Sequence, residues 1–147
     1  MNYLVGFFSP YLVAFVAALL IAHIIKYIVD IANKTAVDPI HQMFTTGGMP
    51  SAHAATIMSV WVVILLKDGP SSGLFGLATV VAAIILLDAI KVRRSSGEQG
   101  LALTALIKEQ NSKVRLPRVA QGHTPLQVAV GTILGLAIGV LVYVFVK

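Results

Sequence analysis

Residues 126–146 read LQVAVGTILGLAIGVLVYVFV, without a single Lys, Arg, Asp, Glu or His. About 20 apolar residues wound as an α-helix cross the roughly 30 Å hydrocarbon core of a bilayer. A soluble core helix is apolar on one stripe, not all round. Moving outward, three more apolar blocks appear at residues 10–29, 52–66 and 74–90. Only the second is short for a span, and it fits with tilt or help from its flanks. Backbone N–H and C=O groups in lipid must pair internally, which makes helices the spanning form. The composition agrees. The chain is 57% hydrophobic and only 12% charged, against about 25% charged in soluble domains. The expectation is all-α: a polytopic membrane helical bundle of about four spans, one integral membrane domain over residues 1–147.

There are no cysteines, which removes disulfides and thiolate metal sites. The net charge of +5 does not argue for nucleic acid, because basic residues in a membrane protein mark loops and meet anionic headgroups. The start, MNYLVGFFSPYLV, lacks the basic region of a cleavable signal peptide. No internal repeat is present.

Connections 31–50 and 91–124 are long. The 67–73 connection is a tight Gly-Pro turn. A short interfacial helix is expected around residues 101–108. With four spans the two long connections share one side, and both termini with the turn share the other. Nine of the eleven Lys and Arg lie on the first side. The positive-inside rule then puts the long connections in the cytoplasm, in a multi-pass protein of the cell membrane.

Polar chemistry gathers where spans begin and end on that side. His23, Lys26, Asp30 and Lys34 sit at helical spacings of three, four and four. Snorkelling explains Lys34, but Lys26 and His23 lie a turn or more deeper. Span two opens with Gly47-Gly48-Met49-Pro50-Ser51-Ala52-His53. Glycines admit close backbone approach, and a helix start offers free N–H groups to an anion. The plain structural reading is a glycine turn with a capping serine and a buried histidine. Asp88, Arg93 and Arg94 close span three. The arginines alone suit a membrane-edge anchor, but a carboxylate inside a span wants a partner. Span four opens with Gly122-His123-Thr124-Pro125-Leu126-Gln127, where Thr124 reads as N-cap and Gln127 as its capping-box partner. Gly131, Gly135 and Gly139 make a flat seam on which another helix can pack, a candidate homo-oligomer contact. Each set has an ordinary explanation. Their convergence at one depth points to a phosphate pocket.

These residues resemble the divergent branch of the type 2 phosphatidic acid phosphatase superfamily, related to acid phosphatases and vanadium-dependent haloperoxidases. The match rests on GGMPSAH (47–53), on Asp88-Ala89 with Val92-Arg93-Arg94, and on GHTP (122–125), with Lys26 before them. The resemblance implies chemistry without metal or other cofactor. His123 would be the nucleophile that forms a phosphohistidine, and His53 the general acid. Lys26, Gly48, Ser51 and Arg93 or Arg94 would bind phosphate. Asp88 and Gln127 would support the histidines. The chain departs from the family pattern in three places. Gln127 stands four residues after His123, where an acid is usual. Lys34 stands in the region where an arginine usually follows the first lysine. The arginines precede His123 by about thirty residues instead of a few. An amide can hold an imidazole ring but cannot balance an imidazolium.

Three functions compete at this level. One is hydrolysis of a phosphorylated lipid or other phosphate ester at a site facing the cytoplasm. Another is non-catalytic binding of lipid phosphate or anions. The third is a small transporter or assembly protein, with His23, Lys26 and Asp88 as a polar path. Membrane lipids are partners in all three. A transporter needs a route to the far face, and span four carries no ionisable group along its length.

Overall fold

Ala14, Ala18, Ala22 and Lys26 recur every fourth residue in α1 (Pro10–Ala32) and are its buried positions. Leu12, Phe15, Val16, Leu20, Ile24 and Ile28 point outward from the same helix and stay exposed. A small-residue inner stripe with large apolar residues outside is how a helix packs closely inward while facing lipid outward. The computed structural model describes residues 9–33, 48–117, 119 and 122–146. Lys34, Thr45, Thr46 and Gly47 fall outside the described residues.

The element order is α1, α2 (Ala52–Asp68), α3 (Gly73–Leu87), a π-helical turn (Asp88–Val92), α4 (Arg93–Glu109) and α5 (Pro125–Phe145), with no strand among the described residues. The protein is therefore the all-helical membrane bundle expected. α2 is its centre, packing against α1, α3 and α5. Ser59 ties α2 to α1, its Oγ lying 3.1 Å from the Ala14 carbonyl. Trp61 ties α2 to α3, donating from Nε1 to Thr79 Oγ1 at 3.0 Å. At the end away from the histidines, Tyr11 donates to Asp68 Oδ2 at 2.6 Å. Val63 packs nearby with Ala14, Ala18, Ile138 and Val142.

The glycine seam of α5 is filled from within the chain. Cβ atoms added at Gly131, Gly135 and Gly139 would meet the carbonyls of Ser51, Ala55 and Ser59 in turn. Two stripes of three small residues, each spaced every fourth position, thus lie face to face, one on α5 and one on α2. This corrects the seam's reading as a homo-oligomer contact, because α2 already occupies it.

Three helical stretches are long and apolar enough to cross a membrane: Pro10–Ala32, Gly73–Glu109 and Pro125–Phe145. α2 has 17 residues, about 25 Å of helix. With it, the count of about four spans stands. Gly73–Glu109 is one helix of 37 residues, about 55 Å long. The region expected as a separate interfacial helix is instead the continuation of span three through the π-turn. Ile107 and Gly97 are the buried residues of α4. Gly100 lies against Val119, and Gly122 against the Arg94 backbone. Val119 and Gly122 thus lie back along α4, and His123 stands at its base, its N–H bonded to the Ala89 carbonyl.

Candidate functional site

Ala89, Ala54 and Val128 form one buried cluster. They belong to the π-turn, the first turn of α2 and the first turn of α5. The cluster sets the chemistry-bearing neighbours side by side: Asp88, His53 and Gln127 each precede one of its members. A second link joins the same starts, Ser51 N–H donating to the Gln127 carbonyl at 3.1 Å.

His123 is held by its own helix start. Thr124 caps α5, and the reciprocal capping box with Gln127 is complete. Gln127 Oε1 accepts the Thr124 N–H at 3.0 Å. That donor fixes which end of the amide is oxygen. The same oxygen lies 3.3 Å from His123 Nδ1. An acceptor there favours the neutral tautomer with its proton on Nδ1, whose lone pair lies on Nε2. The ring is 4% exposed. Burial pushes the imidazole below the ordinary histidine range, and the charges of His53 and Lys26 push the same way. Hydrogen bonds to Gln127 and the Gly48 backbone oppose the shift. The neutral, nucleophilic ring is favoured.

His53 faces His123 with ring centroids 6.2 Å apart and planes inclined by 60°. It is exposed and forms the open side of the recess. Lys26 forms a closed side, only 7% exposed. Gly48 lies directly over it: its φ is +83°, and an added Cβ would stand 2.8 Å from Lys26 Cε. Any side chain here would be strained by the backbone and would displace the lysine tip. Ser51 is fully buried, its Oγ accepting the Ala54 N–H at 3.4 Å. Its hydroxyl is drawn into capping α2.

The two arginines part company. Arg93 Nε donates to Asp88 Oδ2 at 2.7 Å. Arg94 points outward and pairs with Glu98 at 3.1 Å. Asp88 is thus the partner of Arg93, on the His53 side of the recess. His23 is half-buried beside the site, its Nδ1 2.7 Å from the Leu19 carbonyl. The π-turn is the feature that sequence reasoning missed. The signal for it was Asp88 and Arg93, opposite charges five apart where helical pairing uses three or four.

Two histidines and two cations thus gather where the spans of a membrane bundle end. The chain belongs to the Divergent PAP2 family, whose model matches residues 7–138. It is 30% identical over 150 residues to YuiD, an uncharacterized membrane protein of Bacillus subtilis (strain 168), covering 91% of this chain and 94% of that one. No solved structure matches the chain.

Proposed function

We propose that the protein hydrolyses a phosphate ester of an amphiphilic substrate, a phosphorylated lipid being the natural class, through a phosphohistidine on His123. The observation that carries this reading is the pair of imidazoles, His123 buried and His53 exposed, 6.2 Å apart beside the buried Lys26. The His123 Nε2 lone pair attacks phosphorus as the bond to the leaving oxygen breaks. Protonated His53 gives its proton to that oxygen. Water then loses a proton to neutral His53 and attacks phosphorus. The P–N bond breaks and its electron pair returns to His123. Lys26, Arg93, the Gly48 backbone and the start of α2 stabilise charge growing on the phosphoryl oxygens.

Gln127 supports the second reading, a phosphate binder without turnover. Its amide orients His123 but adds no negative charge for the imidazolium. The decisive measurement is phosphate release by purified protein from a panel of lipid phosphates. Release above background supports the enzyme; phosphate binding with no release selects the binder.

Gln127→Glu is expected to raise kcat about tenfold. Glutamate at this position keeps the capping box and stabilises the developing imidazolium. The same carboxylate raises the proton affinity of His123. Neutral His123 is the reactive form, so the acid limb of kcat/KM should move to higher pH. Unchanged or lower kcat at pH 8 would remove the charge argument.

The recess is inferred to open to the cytoplasm, from the distribution of basic residues. Ser95 is exposed on α4, and the chain has no cysteine, so Ser95→Cys is a single reporter. Labelling by an impermeant maleimide only after cytoplasmic access is opened is the expected result. Labelling from outside intact cells reverses the orientation.

A further inference from the structure

In a regular α-helix the Arg93 amide bonds to the Ala89 carbonyl. Here it bonds to the Asp88 carbonyl, across the π-turn Asp88–Val92. The wider turn has two effects. The Ala89 carbonyl is released and accepts the His123 N–H at 3.1 Å. Asp88 and Arg93, about 140° apart around a regular helix, come onto one face and pair at 2.7 Å. Inserted turns of this kind recur at functional sites.

The pair has a direction. Asp88 Oδ2 takes Nε of the guanidinium. The two Nη groups, the fork that grips phosphate oxygens in parallel, are left for other acceptors. Both side chains are about a third exposed, so the pair is not sealed inside the bundle. Ala89, between the two paired residues, is 1% exposed and packed against Ala54. The turn is therefore fixed against the helix that carries His53.

We propose that Asp88 is a positioning residue that acts through Arg93, holding the guanidinium fork toward a phosphate oxygen beside His53. This rests on reading the recess as a phosphate site. It assigns Asp88 to the cation that grips substrate and not to the nucleophile, whose ring is oriented by Gln127. Arginine, and not merely positive charge, is then required at position 93. Lysine has no Nε for Asp88 to hold while its tip serves the phosphate.

The test is a double-mutant cycle on the full-length protein in detergent, with binding of inorganic phosphate and lipid-phosphate kinetics as paired readouts. Asp88→Asn is expected to weaken phosphate binding and raise KM about tenfold, with kcat within about threefold. Arg93→Ala should weaken both further. Asp88→Asn added to Arg93→Ala should then change neither by more than about twofold. A cost of Asp88→Asn as large without Arg93 as with it overturns the proposal, as does no cost in either background. Should Arg93→Ala fold poorly, Arg93→Lys carries the same cycle. It is expected to bind phosphate about tenfold more weakly at an unchanged unfolding temperature, and to be insensitive to Asp88→Asn. Wild-type binding with this pattern but no phosphate release would sink the hydrolase reading and leave the positioning role standing. No phosphate binding by the wild type would sink both.

Discussion

Replacing His123 with alanine is expected to lower phosphate release by about 10³-fold or more, while inorganic phosphate still binds. The split follows from the layout of the recess. Lys26 is buried beneath Gly48, and Arg93 is held by Asp88 across the π-turn. Removing the imidazole leaves both cations in the chain, so anion recognition should survive. What disappears is the lone pair that the proposed P–N bond requires. His53→Ala should behave differently. A general acid matters in proportion to how poor the leaving group is, so His53→Ala should lose about 10²- to 10⁴-fold on an alkyl phosphate. It should lose far less on an aryl phosphate that departs unaided. His123→Ala should be insensitive to that exchange. Wild-type rates in His123→Ala would end the nucleophile assignment.

Gly135→Leu is expected to destabilise the bundle at or beyond the upper end of the ~1–3 kcal/mol typical of overpacking. The obstacle facing a new side chain is the Ala55 backbone carbonyl. A carbonyl inside a helix cannot swing aside as a flexible side chain can. α2 would have to move away from α5, and the Ser51–Gln127 bond that joins the two helix starts would stretch with it. Thermal unfolding in detergent measures this. Ile133→Leu, at a position 67% exposed on the same helix, should be close to neutral. Dissociation of a dimer with unchanged unfolding temperature in Gly135→Leu would return the seam to a contact between copies.

The spans were legible because length and hydropathy report directly on a bilayer. Residues 10–29 and 126–146 became Pro10–Ala32 and Pro125–Phe145. Thr124 with Gln127 was legible too, since a capping box is written in four consecutive residues. Three things were not. The arginine that faces the recess could not be chosen between Arg93 and Arg94, because the choice depends on a turn wider than the regular 100° per residue. The partner of the α5 glycines was invisible because a small-residue stripe does not say which helix it meets. Ser51, Ala55 and Ser59 are spaced just as regularly, but they lie in a helix whose apolar pattern gave no reason to single them out. The join of span three to α4 was hidden by composition. Residues 93–100 are polar enough to look like a loop, although in the structure they continue the helix that precedes them.

The shortness of α2 has a consequence for where the reaction zone sits along the bilayer normal. Its 17 residues reach about 25 Å, against a hydrocarbon core of roughly 30 Å. With the 69–72 turn at the far interface, Gly48, Ser51 and His53 end a few ångströms below the near headgroup plane. On the proposed phosphate-site reading, an anion entering there would trade its hydration shell for Lys26, Arg93 and the first amides of α2. A lipid already keeps its carbon at that level and has only its phosphate to bring. A soluble ester would have to drag its polar remainder beneath the surface. On the proposed hydrolase reading, helix length, set by where Asp68 and Gly69 end the span, would act as a ruler that sorts substrates before any side chain touches them.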